Sequence, residues 1–189
     1  AEMDAERDNK HRRGGHAHHE PLFTNREVGM VLRQVKAMDY DAPHEILAGV
    51  TVTLRDAGHI LGSANVEVRA LENGITRTLV FSGDLGRSDD LLMPAPEHIA
   101  RADVLLVEST YGNRLHPTDD VQDKLAAIVR NTVRRGGSVL LPSFAVGRAQ
   151  ALLLVLQRLR RAGDIPPSLP IYLDSPMAIA ATDVTLRHR

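Results

Sequence analysis

The sequence predicts an α/β protein: a mixed, largely antiparallel sheet over its first part, followed by a parallel α/β segment. Three observations carry this. Between residues 46 and 82 apolar residues recur with a period of two, the signature of strands with one face buried and one wetter. From residue 103 onward, short wholly apolar runs alternate with stretches of helical period, the grammar of βα units around a parallel sheet. The change between the two patterns falls near Tyr111-Gly112. The expected organisation is therefore a domain over 1–111 and the start of a second over 112–189.

The elements follow in order. Residues 1–20 are polar and aperiodic and read as a flexible arm or an exposed helix. Thr24-Asn25-Arg26-Glu27 is a capping box, and Val28, Val31, Leu32, Val35 and Met38 recur behind it, predicting an amphipathic helix over 25–38. Pro43 ends that pattern. Val50, Val52 and Leu54 alternate with Thr51 and Thr53, and Val66, Val68 and Ala70 with Glu67 and Arg69. Asn73-Gly74 signals a hairpin into a strand over 78–81. Beyond it come a strand at 104–107, a helix over 119–135 ended by Gly136-Gly137, and a strand at 139–141. A helix over 147–162 ended by Gly163, a strand at 171–173 and a helix over 176–188 complete the reading.

Composition excludes several classes. The chain has 189 residues, 43% of them hydrophobic, enough for a sizeable core. Its longest apolar run, 151–156, is far short of the roughly 18 residues of a membrane span. The polar N-terminus is no secretory signal. There is no cysteine, which removes disulfides and thiolate ligands and fits a reducing, cytoplasmic setting. A net charge of -1 gives no global nucleic-acid signature. The arginine clusters at 12–13, 134–135 and 158–161 read first as solvated helix faces and ends. The chain begins without Met and reads as an internal piece of something longer.

Three polar clusters follow apolar strands: Asp56-Ala57-Gly58-His59, Ser82-Gly83-Asp84-Leu85-Gly86 and Glu108-Ser109-Thr110-Tyr111-Gly112. His59, Asp84 and Glu108 are spaced by 25 and 24 residues (84 − 59 and 108 − 84), one strand and its return apart. Side chains leaving neighbouring strand ends converge at one edge of a sheet. Glycine beside each lets the backbone turn sharply and approach a ligand. Converging His and carboxylate without Cys suit Zn²⁺ or Mn²⁺. Taken singly, each has a milder reading: a hydrogen-bonded structural His, a turn Asp beside Gly, a Glu that caps a loop.

The run Asp56-Ala-Gly-His-Ile-Leu-Gly-Ser-Ala64 resembles the third metal motif of the β-CASP branch of the metallo-β-lactamase superfamily, and Phe81-Ser-Gly-Asp-Leu-Gly-Arg87 its fourth. Val107-Glu-Ser-Thr-Tyr-Gly-Asn113 resembles motif A. Pro142-Ser-Phe-Ala-Val-Gly-Arg-Ala-Gln150 and Asp174-Ser-Pro-Met-Ala178 are similar to segments of the inserted β-CASP domain. The resemblance implies a partial metallo-β-lactamase αβ/βα sandwich followed by the start of a β-CASP domain. It also implies an RNA-processing nuclease using two divalent metals, with RNA, or single-stranded DNA, as partner. On it, His59 is a ligand of one metal and Asp84 bridges two. Glu108 orients a catalytic His from a motif outside this chain, and Thr110, Ser143 and Arg148 meet phosphates. Arg148 opens a helix, where the dipole favours anions.

The chain departs from the family in lacking its His-x-His-x-Asp-His motif. His16-Ala17-His18-His19-Glu20 imitates the first positions only, without the Asp-His pair and without a preceding buried strand; it reads as a linker able to bind metals adventitiously. His188 lies in a terminal segment and is given no role. The chain alone is therefore expected to be inactive unless a homodimer shares ligands. Two rivals stand beside the enzyme: a non-catalytic RNA-binding or assembly subunit of the same fold, and a plain nucleotide- or partner-binding α/β module over 103–189. Neither a Gly-x-Gly-x-x-Gly nor a phosphate-loop lysine motif supports the module.

Overall fold

The computed structural model describes residues 2–11, 20–115 and 120–188. The His16–His19 tract lies outside them. Two compact units emerge, Ala1–Asp39 and Tyr40–Arg189. Among the described residues no helix is long and apolar enough to cross a membrane.

The first unit holds helices α1 (Glu2–His11) and α2 (Asn25–Leu32). The capping box forms as the sequence predicts. The Thr24 backbone N–H donates to Glu27 at 2.8 Å, the Thr24 hydroxyl also reaches Glu27, and the Arg26 N–H donates to the Thr24 hydroxyl at 3.3 Å. The helix stops six residues short of the expected end at 38 (38 − 32). No residue of α2 is buried, and short helices depend on packing more than on propensity. The apolar period through Val35 continues, but Val35 remains exposed and the last turns gain nothing from forming.

The second unit opens with one five-stranded sheet in the order β1 (His44–Leu47), β2 (Val50–Asp56), β3 (Ala64–Glu72), β4 (Ile75–Phe81) and β5 (Val104–Leu106). The first four strands pair antiparallel and β5 joins β4 in parallel. Asn73 and Gly74 both take positive φ, as the tight β3–β4 turn requires. This direction pattern has one consequence for the site: β2, β4 and β5 all run the same way, so their C-terminal ends share one edge.

The two faces of the sheet differ. Thr53, Glu67 and Val80 lie side by side across β2, β3 and β4 and are buried. Glu67 there is matched by Arg69 at 2.8 Å and Arg55 at 3.6 Å, and Arg55 also reaches Asp41 at 2.8 Å and Glu97 at 3.1 Å. A buried carboxylate persists because it is paired. On the other face, the files Val52–Val68–Leu79–Val104 and Leu54–Val66–Phe81–Leu106 are half-buried at β2 and β3 and exposed at β5. The apolar alternation thus marks a face that is only partly covered.

Helices α3 (Val121–Arg134), α4 (Arg148–Ala162) and α5 (Pro176–Arg187) follow, close to the predicted spans. Asp120 caps α3 by accepting from the Gln122 and Asp123 amides. Gly163 ends α4 in a left-handed conformation, and Ser175 caps α5 ahead of Pro176. Leu125, Ala126 and Val129 of α3 pack with Val155, Leu156, Leu159 and Ile165 into the main apolar core.

The parallel sheet expected beyond residue 103 is represented by the single β4–β5 pairing. The segments 139–141 and 171–173 are not strands. They line a cleft of about 890 Å³ with Val129, Val133 and Leu156, and no backbone hydrogen bond joins them among the described residues. A strand exists only through its neighbours; here the apolar runs are present and the pairing partner is not. Coarsely the protein is α/β, a mixed sheet with helices.

A candidate metal-binding edge at the strand ends

The turn after β2 presents His59. Asp56 Oδ1 accepts from the Gly58 amide at 2.7 Å. Ser63 Oγ accepts from the amides of His59 at 3.0 Å and Ile60 at 3.2 Å. The Ser63 carbonyl in turn accepts from the Ala57 amide and from the Tyr40 hydroxyl at 2.8 Å. The amides of Ala57, Gly58, His59 and Ile60 are thus all engaged within the turn that carries His59.

The loop after β4 presents Asp84, and it is locked to the His59 turn by backbone contact. The Gly86 amide donates to the Ala57 carbonyl at 2.8 Å. A Cβ on Gly86 would lie 1.8 Å from the Gly58 carbonyl oxygen, and a Cβ on Gly58 would lie 2.4 Å from that of Pro94. Both positions exclude any side chain, and Gly58 also holds φ at +63°. This three-layer backbone contact sets His59 opposite Asp84: Nε2 and Oδ2 are 4.0 Å apart, with 44% and 80% of the side chains exposed.

Glu108, at the end of β5, grips the Asp84 loop. Its Oε1 accepts from the Leu85 amide at 2.7 Å. That bond, and a second from the Thr110 side chain, hold its carboxyl below the usual carboxylate range; the neighbouring His59 adds a smaller push the same way. Hydrogen bonds to the charged form have this effect.

The donor chemistry fits a metal in part. His nitrogen and carboxylate oxygen bind Zn²⁺ at about 2.0–2.2 Å, so two ligands of one ion lie at most about 4.4 Å apart. The His59–Asp84 separation of 4.0 Å falls inside that reach. Among the described residues no group of three His, Cys, Asp or Glu is disposed around one point.

The sequence-predicted residues divide accordingly. His59, Asp84, Glu108 and Thr110 come together. Ser143 lines the 890 Å³ cleft instead. Arg148 is exposed at the start of α4, where Gly147 lies against Ile60, the residue after His59; a Cβ on Gly147 would sit 3.1 Å from Ile60 Cγ2. That places the loop before α4 beside the His59 turn. Reading the motifs left two hydroxyls without a role, Ser63 and Ser82. Their only sequence signal was position inside a motif.

No protein-family model matches the chain. Curated relatives include transcription termination factor FttA of Pyrococcus horikoshii, 38% identical over 159 residues, which span 82% of this chain and 24% of that protein. Ribonuclease TTHA0252 of Thermus thermophilus is 39% identical over 160 residues, 84% of this chain and 35% of that protein. Endoribonuclease YSH1 of Mycosarcoma maydis is 35% identical over 161 residues, 83% of this chain and 18% of that protein. The chain therefore spans about a fifth to a third of the length of these relatives.

Proposed function

Because this chain belongs to the β-CASP branch of the metallo-β-lactamase superfamily, we propose that the whole protein hydrolyses RNA phosphodiester bonds with metal-activated water. Zn²⁺ is the first choice of ion and Mn²⁺ the second. The observation that carries the proposal is the facing pair His59 and Asp84, with Glu108 holding the Asp84 loop from the next strand. Names among the relatives that include a ribonuclease and an endoribonuclease support RNA as the substrate class. When bound, divalent ions would supply Lewis acidity and lower the pKa of water at the site.

This chain's own residues then have distinct parts. His59 through Nε2 and Asp84 through its carboxylate would hold the divalent metal. Glu108 fixes the loop that carries Asp84. Arg148, exposed at a helix start beside the His59 turn, supplies positive charge for a phosphate, with Thr110 and Ser143 as weaker contacts. In this reading 1–111 contributes the metallo-β-lactamase portion and 112–189 the first part of a β-CASP domain.

The test is cleavage of an end-labelled single-stranded RNA by the whole protein with Zn²⁺ or Mn²⁺. Asp84→Ala is expected to lower the rate by at least a hundredfold; an undiminished rate sinks the reading. The 189-residue chain by itself is expected to show no turnover, since two ligands do not make a dinuclear site. Turnover by the chain alone that Asp84→Ala abolishes would point to ligands shared in a homodimer. The alternative is a non-catalytic RNA-binding or assembly subunit of the same fold. RNA binding by the whole protein, unaccompanied by cleavage in either metal, would favour it.

A further inference from the structure

Ser82 is buried at 4% exposure and sits between the two carboxylate-bearing loops. Its amide donates to the Leu106 carbonyl at 2.9 Å, the last step of the β4–β5 ladder. Beyond that point the backbone pairing ends, and the Ser82 side chain takes over. Its Oγ accepts from the Glu108 amide at 3.0 Å and donates to the Gly83 carbonyl at 2.7 Å. One hydroxyl therefore connects the residue before Asp84 to the backbone of Glu108.

Glu108 returns the connection through its own side chain, which accepts from the Leu85 amide at 2.7 Å. The two bonds bracket Asp84: one ends on Gly83 before it, the other on Leu85 after it. Asp84 itself is mostly exposed and makes no hydrogen bond to the protein among the described residues. Apart from His59 Nε2 at 4.0 Å, the backbone of its loop sets where its carboxylate points. A side chain with that little support must be aimed by the residues on either side of it.

We propose that Ser82 is a positioning residue for the Asp84 carboxylate, acting through the Glu108 amide and the Gly83 carbonyl. The proposal rests on the metal-binding reading of His59 and Asp84. The chemistry requires a hydroxyl, because one atom must accept from an N–H and donate to a C=O at once. Alanine does neither, and would remove the partner of the part-buried Glu108 N–H and of the Gly83 carbonyl. Partners that orient metal ligands change metal affinity by about 10–100-fold when removed.

The experiment uses the 189-residue chain and Mn²⁺ as probe, followed by paramagnetic broadening of the His59 and Leu85 amide signals in a ¹H–¹⁵N spectrum. In the unaltered chain the Glu108 amide is expected to exchange slowly with solvent, because its partner is the Ser82 hydroxyl. A Glu108 amide exchanging at the free-peptide rate overturns the proposal without any variant. Ser82→Ala is expected to weaken Mn²⁺ binding about tenfold while the signals of the α3–α4 core stay in place. Ser82→Thr, which keeps the hydroxyl, is expected to bind more tightly than Ser82→Ala. If Asp84→Ala weakens binding and Ser82→Ala does not, the positioning role fails and the metal reading stands. If Asp84→Ala leaves binding unchanged, both fall.

Discussion

The strand-end edge and the α3–α4 region are held together by different forces. At the edge, loops of three strands meet through backbone hydrogen bonds and glycine contacts, while His59 and Asp84 remain exposed. Around α3 and α4, Leu125, Val129, Val155, Leu156, Leu159 and Ile165 bury apolar surface, while the extended runs beside them stay unpaired. The first region is precise and thinly covered. The second has a core and an incomplete rim. Position at the edge is therefore set by short polar ties and close backbone contacts, while burial of apolar surface is concentrated around α3 and α4.

The difference can be broken from the stability side first. Leu156 is 6% exposed within the core cluster. Leu156→Ala is expected to cost about 3–4 kcal/mol, as for buried leucines generally, measured by urea denaturation. The His59 and Leu85 amide shifts should stay unchanged in conditions where the variant is folded. Displaced shifts would mean that the core and the edge are one mechanical body after all.

The reverse substitution is Gly86→Ala. Its new methyl would meet the Gly58 carbonyl oxygen at 1.8 Å, backbone against backbone, with no flexible side chain to yield. The two loops must separate. The expected loss is about 2–3 kcal/mol, typical of forced overpacking, with large shifts at His59 and Leu85 and Mn²⁺ broadening lost. The α3–α4 signals should hold. A variant that kept Mn²⁺ binding would show that the Gly58–Gly86 contact does not set the His59–Asp84 spacing.

The contrast also explains what was legible in the sequence. Periodicity located β2, β3 and β4 and the three long helices, because each buries a repeating face. The convergence of His59, Asp84 and Glu108 was legible because strand directions follow from two antiparallel pairings and one parallel one. Strands at 139–141 and 171–173 were misjudged because an apolar run specifies a preference for burial and not a partner. The end of α2 at Leu32 has the same cause: the apolar period runs on, but no residue of the helix is buried. Ser63 and Ser82 were invisible because a serine's role depends on which amide the fold brings within 3 Å of it, and no periodicity encodes that.

The smallest expected effect sharpens the comparison at a single bond. Glu108 titrates below the usual 4.5 because its charged form accepts from the Leu85 amide first and Thr110 second. A carboxyl whose folded pKa lies below its unfolded value stabilises the fold above the unfolded pKa, and that contribution disappears as pH falls through the folded pKa. The tie should therefore hold across neutral and mildly acidic pH and loosen only below 4.5. The Leu85 amide nitrogen shift is the direct readout, since it reports the hydrogen bond itself. Its midpoint should lie under 4.5, and the transition should vanish in Glu108→Gln, which can still accept a hydrogen bond but carries no charge to lose. The Leu156 and Val129 signals should cross the same pH range without a transition at that midpoint, because no carboxylate is part of their cluster. A common midpoint at Leu85 and in the core would mean that Glu108 protonation loosens the unit globally, and the separation between a polar-tied edge and an apolar core would fail at its most local point.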